Sequence, residues 1–388
     1  MKIAGIVAEY NPFHNGHAWH IARTRAAGCD RVIVCMAGHF TQRGEAAILS
    51  KWDRARMALA CGADAVFELP AVFAVRTADA FARGGVGILD GLGVDVLSFG
   101  SEITDIERLQ GLAALRDDEP EAMSGAIARR LEAGMSHARA WGEAAGEYLG
   151  MPAETLNRPN AVLAVEYLRA LAACGSRMSP MAIPRQGDYH GDALGPYASA
   201  TAIRAAFARG DEKAALEAIP EAARPWARPD ALHPMDDMLL YRLRPMSPED
   251  LAALPDMGEG LEHRLYRLCR EASGREALLD GLKCKRYTRA RLSRILTHAL
   301  LGIDRTALAA IPAPTCARLI GMRRDAEDLL GELKARAKLP IASGGASLRG
   351  DPCFEWECRA TDTWSLMHDA PHLRAAGREY TERFVVVG

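Results

Sequence analysis

Two histidines near the start of the chain have the types and the spacing needed to bind a phosphate group. His14 and His17 flank Gly16, and they lie between an apolar run at residues 3–7 and a helical pattern at residues 17–27. A helix N-terminus presents unpaired N–H groups and partial positive charge, each imidazole adds an N–H donor, and glycine permits close backbone approach. Histidines at a helix start often serve only local structure. A position directly after a first strand favours catalysis at a phosphate instead.

The elements that must position these histidines alternate along the first half of the chain. Short apolar runs recur at residues 31–36, 65–69, 94–99 and 181–183, and helical patterns separate them. Such alternation predicts an α/β fold, a Rossmann-like doubly wound parallel sheet with helices on both faces. In sheets of this kind the ligand binds outside the carboxyl ends of the strands.

Polar and glycine-containing segments follow each of the predicted strands. They are residues 11–17, 38–45, 68–70, 100–102 and 185–187. Because the carboxyl ends of parallel strands meet at one edge of the sheet, these segments should surround a single ligand. This coincidence is the strongest support within the sequence for a nucleotide site.

Two further helix starts allow either a structural or a ligand-binding interpretation. Asn160 precedes a helical pattern at residues 161–173, where it would be a helix cap or a contact to adenine or ribose. The segment from Ser199 through Thr201 to Arg204 opens another helix. Its hydroxyls would cap that helix or, together with the guanidinium, hold phosphate oxygens. The histidine motif upstream favours phosphate binding.

Length and composition limit the class of protein. The 388 residues suggest two or three domains, and we predict a catalytic domain over 1–210 with a helical insert, a scaffold or a lid, at about 104–147. A mainly helical domain is expected over 211–388, with strand-like segments at 351–359 and 384–387 near its end. No apolar stretch reaches 18 residues, and nine scattered cysteines form no CxxC pair. We therefore expect a cytoplasmic protein with reduced thiols and no membrane span.

A local excess of positive charge marks the second half of a chain whose net charge is only −2. Residues 264–294 hold ten lysines or arginines against three acidic residues. With Tyr287 among them, these cations suit an RNA backbone and a stacked base, although a solvated helix face is the alternative. The predicted RNA-binding residues are Lys283, Lys285, Arg286, Arg289, Arg291 and Arg294.

Several blocks of the sequence together resemble the tRNA(Met) cytidine acetate ligase family, a bacterial branch of the HxGH nucleotidyltransferases. The match extends over nearly the whole chain, which makes it more specific than the histidine motif alone. The blocks lie at residues 9–17, 40–45, 50–52, 61–64, 68–70, 99–102, 285–288 and 359–362. In two departures from the family pattern, His39 stands where Asn is more usual, and Ala161 replaces the second Asn of a Pro-Asn-Asn block.

The resemblance implies an enzyme that activates acetate with ATP, forming acetyl-adenylate and pyrophosphate. It would then acetylate N4 of the wobble cytidine of elongator tRNA(Met), with the basic region as the tRNA platform. His14, His17 and Lys51 would be catalytic, Lys51 and Arg43 would reach the pyrophosphate, and Mg²⁺ is expected to accompany ATP. The other residues predicted to bind ATP are Val7, Ala8, Glu9, Tyr10, Asn11, Pro12, Phe13, Asn15, Gly16, His20, Gly100, Asn160, Arg185, Ser199, Thr201 and Arg204.

Two other classes of protein share part of this pattern. An adenylyltransferase with a small-molecule acceptor would have the same histidine motif, but it has no need for a large basic helical region. A catalytically silent nucleotide- or RNA-binding protein would not need both histidines and the cations near them. A class I aminoacyl-tRNA synthetase is disfavoured because no Lys-Met-Ser-Lys-Ser motif is present.

Overall fold

The predicted parallel sheet is present in the structure. This computed structural model describes residues 1–135, 137–185, 195–230 and 232–388. Five parallel strands run in the spatial order β5-β4-β1-β2-β3, which confirms the Rossmann-like prediction. They are β1 (Ile3–Ala8), β2 (Arg31–Ala37), β3 (Ala65–Leu69), β4 (Val96–Ser101) and β5 (Ser179–Pro184).

The strand order creates one crevice at the carboxyl edge of the sheet. β1 pairs with β2 on one side and with β4 on the other. The chain leaves β1 toward β2 and later returns to the opposite side of β1 to form β4. This reversal is the switch point where ligands bind in open α/β sheets. The histidine motif after β1 and residues 100–102 at the end of β4 therefore border the same crevice.

The second half of the chain extends this sheet, and the sequence indicated only the last of the added strands. β6 (Ala317–Arg323) pairs antiparallel with β3, and β7 (Ile341–Ala342) and β8 (Val385–Val387) pair with β6. The strand-like segment at 384–387 is thus confirmed. The division at residue 210 stays a prediction, but one sheet takes strands from both sides of it.

Helices surround the sheet and occupy most of the second half. The predicted insert at 104–147 is helical, as α5, α6 and α7. The helices are α1 (Asn15–Ala26), α2 (Lys51–Ala60), α3 (Ala71–Ala74), α4 (Ala78–Gly91), α5 (Ile106–Asp117), α6 (Glu121–Glu132), α7 (His137–Leu149), α8 (Ala153–Leu156), α9 (Pro159–Ala173), α10 (Ala200–Ala208), α11 (Glu212–Glu217), α12 (Asp236–Leu243), α13 (Pro248–Ala252), α14 (Leu261–Glu271), α15 (Arg275–Leu282), α16 (Arg289–Leu301), α17 (Arg305–Ala309), α18 (Glu327–Arg336), α19 (Pro352–Ser365) and α20 (Arg378–Thr381).

The prediction of a strand at 351–359 was wrong, because this segment opens α19. The Asp351 carboxylate accepts the N–H of Phe354 (3.0 Å), and Pro352 occupies the first helical position. Both are signals of a helix start. The buried residues Cys353, Glu357 and the apolar positions after them recur at helical spacing rather than alternating.

The sheet has a hydrophobic core on each face. Along β2, Ile33 and Cys35 belong to one apolar cluster, with α4 and α9, while Val34 and Met36 belong to another, with α2 and α10. Side chains of a strand alternate between faces, so burial of both faces requires an unbroken apolar run. No helix of the described residues is both long and apolar enough to cross a membrane.

Candidate active site

The two histidines of the motif cap the N-terminus of α1 and are joined through its backbone. The N–H of Gly16 donates to Nδ1 of His14 (3.1 Å), and the N–H of His14 donates to Nδ1 of His17 (3.2 Å). The two rings stack with their centroids 3.6 Å apart. This is a reciprocal cap of the capping-box type, with imidazoles in place of the usual hydroxyl and carboxylate. The helix start therefore fixes the orientation of both rings.

The cap also determines which ring nitrogen carries the proton. Because Nδ1 of each ring accepts an N–H, the proton of the neutral imidazole is on Nε2. Burial, followed by the charge of nearby Arg185, lowers the pKa of His14 to about 3. Burial, followed by the charges of His14 and Arg185, holds the pKa of His17 well below its ordinary value. At neutral pH the pair offers two uncharged Nε2–H donors beside the positive end of α1.

Because His14 is neutral when folded, acidification should destabilise the protein through this residue. Its pKa is about 3 in the folded protein and 6.5 when unperturbed, so between these values only the unfolded chain binds the proton. Its contribution to stability is complete above the unperturbed pKa and is lost as the pH falls below it, by up to about 1.4 kcal/mol per pH unit. Asparagine is also a good helix cap, so we expect the His14→Asn variant to fold. On acidification its free energy of unfolding should fall less than that of the wild type.

Urea unfolding of both proteins between about pH 7.5 and pH 5.5 measures this difference. The wild type should show the steeper decline in the free energy of unfolding. Parallel declines would mean that His14 titrates normally in the folded protein, and the assignment of a neutral donor would then fail.

Polar side chains from β4 and α9 line the crevice beside the histidines. Nε2 of His20, one turn along α1, is 2.9 Å from the hydroxyl of Ser98 on β4. Asn160 donates through Nδ2 to Oε1 of Glu102 (2.9 Å), just beyond the end of β4. Asn160 lies inside the first turn of α9 and does not cap it, so the capping interpretation was wrong. Its contact to a nucleotide stays a prediction.

Three buried polar atoms of residues at this edge have no hydrogen-bond partner among the described residues. They are the hydroxyl of Tyr10, Nδ2 of Asn11 and Oε2 of Glu102. Such groups are normally paired, since an unpaired one costs about 1–3 kcal/mol. A bound ligand that supplies partners to Asn11 and Glu102 would remove this cost, whereas the Tyr10 side chain lies in an apolar core. The histidine motif included Tyr10 and Asn11, whereas Glu102 was indicated by its position at a strand end and by the family block at 99–102.

Two arginines hold the main chain that carries the motif. Arg54, fully buried on α2, donates to the carbonyl oxygen of Glu9 (2.7 Å) and to the carbonyl at the end of β2 (3.0 Å). Arg204 on α10 donates to the carbonyl oxygen of Asn11 (2.9 Å) and to Oε2 of Glu45 (3.1 Å). Both side chains therefore position the turn after β1. The sequence did not indicate Arg54.

The hydroxyl segment before Arg204 has a structural role in this structure. Ser199 caps α10 by accepting the N–H of Ala202 (3.1 Å), which confirms the capping interpretation for this residue. Thr201 is exposed, and its hydroxyl lies 3.3 Å from Nη2 of Arg204. Phosphate binding by these three residues stays a prediction.

The other residues predicted to bind ATP surround the same turn. A Cβ added to Gly100 would lie 3.5 Å from Cγ of Arg185, so the ends of β4 and β5 adjoin. Asn15 donates to the carbonyl oxygen of Pro196 (2.7 Å), and Phe13 is fully buried beneath the turn. Val7 and Ala8 complete β1, followed by Pro12 in the turn. The predicted residues 186 and 187 lie outside the described residues.

The loop after β2 is held by α16 from the second half of the chain. The carbonyl oxygen of Gly44 accepts from the hydroxyls of Ser293 (2.9 Å) and Thr297 (2.7 Å) and from Arg275 (2.9 Å). Gly44 has φ of 70°, and a Cβ there would lie 2.6 Å from the backbone nitrogen of Arg294. Only glycine permits this close contact. The middle of α16 thus touches a loop at the carboxyl edge of the sheet.

Lys51 lies in a buried cluster of charges. Its side chain is fully buried, and its ammonium pairs with the carboxylates of Glu68, Glu357 and Glu379. Arg318 also pairs with Glu68 and Glu379. Burial would lower the pKa of Lys51, but the three carboxylates raise it. Burial, followed by the charge of Glu68, raises the pKa of Glu357 to about 8. With Glu357 protonated, the two cations face two carboxylates, and the cluster is electrically balanced.

This placement argues against the predicted contact between Lys51 and pyrophosphate. An ammonium enclosed by carboxylates has no surface left for a soluble ligand in this conformation. The sequence could not show this, because Glu357 and Glu379 lie some 300 residues farther along the chain. In the described part of the chain, His39 with these two carboxylates is the one group with metal-ligand spacing, and the Lys51 ammonium already neutralises it.

Three of the predicted RNA-binding residues form an exposed cationic loop. Lys283, Lys285 and Arg286 lie between α15 and α16 and are exposed. Arg286 is 81% exposed and only 3.8 Å from the carboxylate of Glu259, a weak surface pair. We call these three residues the cationic loop. Its charges are available to an anionic partner.

The other three predicted RNA-binding residues make contacts within the protein. Arg289 pairs with two carboxylates on α15, and Arg291 donates to the carbonyl oxygen of Asp256 (2.9 Å). Arg294 pairs with Asp256 (2.8 Å) and is only 7% exposed. Tyr287 is 8% exposed and lies beneath the guanidinium of Arg291. Because both side chains are buried, two predictions were wrong, an RNA contact by Arg294 and base stacking by Tyr287.

The fold and the histidine site agree with a known family of proteins. Residues 1–379 match the family described as HIGH Nucleotidyl Transferase. A solved structure, Thermotoga maritima TmcAL bound with alpha-thio ATP, superimposes with a TM-score of 0.90 at 29% identity and covers 100% of both chains. The chain belongs to the HIGH nucleotidyl transferase family.

Closer relatives within that family share one name. A tRNA(Met) cytidine acetate ligase from Syntrophotalea carbinolica is 40% identical over 361 residues, covering 88% of this chain and 85% of the relative. One from Bacillus subtilis is 35% identical over 394 residues, covering 96% of this chain and 94% of the relative. The chain is a member of the tRNA(Met) cytidine acetate ligase family.

Proposed function

We propose that this protein uses ATP to activate acetate and then acetylates N4 of the wobble cytidine of elongator tRNA(Met). Family membership supports the reaction and the substrates. The observation that carries the proposal on this chain is the histidine pair, two neutral Nε2–H donors at a helix N-terminus in the switch-point crevice. Both substrates, ATP and tRNA, belong to the cytoplasm, where we place the reaction.

ATP is proposed to lie across the crevice with its phosphates at the N-terminus of α1. The α-phosphate would accept hydrogen bonds from His14, His17 and backbone N–H groups there. The unpaired carboxylate oxygen of Glu102 would accept from a ribose hydroxyl or from the adenine amine, and Asn160 would orient this carboxylate. Arg185, at the end of β5, adds positive charge on the phosphate side. Mg²⁺ is proposed to enter with the triphosphate, held mainly by its oxygens.

The first step joins acetate to the α-phosphate. A carboxylate oxygen of acetate attacks the α-phosphorus, the bond to the bridging oxygen breaks, and pyrophosphate leaves with the electron pair. Negative charge on the α-phosphate oxygens is then stabilised by the histidine donors, which are already oriented by the cap. Uncharged donors suit this task, because the rings need not gain or lose a proton during the step.

The second step transfers the acetyl group to RNA. The N4 amine of an unstacked cytosine attacks the carbonyl carbon of acetyl-adenylate, AMP leaves, and the amine loses a proton. The cationic loop is proposed to hold the tRNA backbone near the active site. It immediately precedes α16, whose hydroxyls contact Gly44 at the carboxyl edge of the sheet.

Product analysis tests this proposal. Purified protein incubated with ATP, labelled acetate and bulk bacterial tRNA should place the label in one modified nucleoside, N4-acetylcytidine. A small-molecule adenylyltransferase would instead leave the tRNA unlabelled.

A further inference from the structure

A cleft of about 650 Å³ runs along the outer face of α19. Its lining includes Trp356, Arg359 and Arg374. Volumes of roughly 300–1,000 Å³ are typical of sites for small ligands and cofactors. The opposite face of the same helix carries Glu357, in the buried charge cluster, and Thr361, hydrogen-bonded to His39 (2.9 Å). The cleft is therefore separate from the histidine site.

Two guanidinium groups converge beside this cleft, at the C-terminus of α16. Arg242 on α12 donates to the carbonyl oxygen of Ala299 (3.5 Å), and Arg359 donates to that of Leu301 (3.4 Å). A Cβ on Gly302, which has φ of 72°, would lie 2.9 Å from Nη2 of Arg242 and 3.2 Å from Nη1 of Arg359. The positive φ favours glycine at this position, and the negative end of α16 attracts the two arginines.

These arginines carry charge that the protein does not neutralise. Within the described ranges, neither Arg242 nor Arg359 has a carboxylate at ion-pair distance. The two acidic residues of the cleft point to the main chain instead. Asp362 accepts the N–H of Gly377 (2.8 Å), and Glu355 accepts the N–H of Gly350 (3.1 Å). Arg242 and Arg359 donate to main-chain carbonyls and not to carboxylates within the described ranges, so their remaining N–H groups can bind an anionic ligand.

We propose that this outer cleft binds one unpaired nucleotide of the tRNA, an inference that rests on the proposed function. The phosphate lies between Arg242 and Arg359, since paired guanidinium groups suit phosphate oxygens. The base enters the cleft beside Trp356, over whose ring the Arg359 guanidinium lies at 4.5 Å. Aromatic rings and guanidinium planes are the surfaces on which proteins stack unpaired bases.

The position of the outer cleft relative to the cationic loop supports this assignment. The loop immediately precedes α16, and the arginine pair lies at the other end of the helix. The 13 residues of α16 span about 20 Å. The middle of the helix contacts the loop of Gly44 at the carboxyl edge of the sheet. Because α16 is buried from Leu292 to Leu301, an RNA that contacts both cationic sites would span about 20 Å across the elements that cover this helix.

Two variants test the outer cleft, Trp356→Ala and Arg359→Gln. Each should raise the Kd for elongator tRNA(Met) about tenfold in filter retention, with acetate-dependent ATP–pyrophosphate exchange at the wild-type rate. Arg359→Gln should also make the log–log salt slope of tRNA binding shallower by about 0.7–0.9. Lys334→Gln removes one exposed charge on α18 and should leave binding unchanged.

The outcomes distinguish this inference from the proposed function. If the wild type neither exchanges pyrophosphate nor binds tRNA, the proposed function fails. If it does both and the two variants bind tRNA as tightly as the Lys334→Gln control, the outer cleft is not an RNA site. If either variant also loses pyrophosphate exchange, tRNA binding is measured with Arg242→Gln instead. Arg242 is exposed and lies on α12, so this substitution does not disturb α19. Wild-type affinity in that variant overturns the inference.

Discussion

Replacing His17 by alanine should lower the rate of acetyl-adenylate formation by about 10²–10³-fold, the usual cost of losing one donor to a developing oxyanion. The substitution removes two things at once. It deletes the Nε2–H donor, and it deletes the Nδ1 acceptor that caps the N–H of His14. Acetate-dependent exchange between ATP and labelled pyrophosphate measures the step without tRNA.

His17→Asn separates these two effects. The Asn carbonyl oxygen can accept the N–H of His14, which preserves the cap, but its short side chain offers no donor at the position of Nε2. We expect this variant to lose nearly as much activity as the alanine variant, with higher thermal stability. If the asparagine variant exchanges pyrophosphate at the wild-type rate, His17 acts only through the helix cap.

Reversing two charges of the cationic loop should abolish acetyl transfer and spare adenylate formation. Lys285→Glu with Arg286→Glu places negative charge where we expect RNA phosphates, and both residues are exposed, so the fold should tolerate the change. The affinity for tRNA should fall about 10–100-fold, because cation–phosphate contacts dominate such binding. Acetyl-adenylate should form at the wild-type rate.

Arg289→Ala provides the matched control for this loop. Arg289 belongs to the same basic region, but it is already paired with two carboxylates of α15. Its removal should leave the salt dependence of tRNA binding unchanged, whereas Lys285→Ala with Arg286→Ala should make the log–log slope shallower by about 0.7–0.9 per contact. Loss of both half-reactions in a folded charge-reversal variant would instead place the loop at the nucleotide site.

The strands and the histidine site of the first half could be predicted from the sequence, because the patterns that indicate them involve residues close together in the chain. Apolar runs flanked by turn residues predicted all five parallel strands, and the position of His14 and His17 after the first strand predicted their place at a helix start. Phosphate binding by a helix N-terminus also depends on neighbouring residues only.

Signals that depend on distant partners were misread. Lys51 appeared available as a cation, but its three carboxylates come from β3, α19 and α20. β6 was missed because its buried Arg318 interrupts the apolar run, and only pairing with Glu68 and Glu379 makes that burial acceptable. The count of charges across residues 264–294 included both exposed and buried arginines, so it overestimated the number of cations available to RNA.

Composition cannot distinguish a free cation from a paired one, and this difference changes the RNA-binding surface that we propose. Arg294 and Tyr287 are inside the protein, while Arg242 and Arg359, far apart in sequence, converge at Gly302. A nucleic-acid site built from separate helices leaves no contiguous pattern of residues. The three-dimensional structure is needed to find it.

Nucleoside analysis of the RNA product tests the central claim most directly. Wild-type protein, ATP and acetate labelled in its carboxyl carbon are incubated with elongator tRNA(Met). A parallel reaction contains an otherwise identical transcript with uridine at the wobble position. We predict labelled N4-acetylcytidine in the first RNA only, with one AMP released per acetyl group and product formation about 10²–10³-fold slower with the His17→Ala variant. Acetate-dependent pyrophosphate exchange without any labelled RNA would contradict this prediction, as would equal labelling of both RNAs.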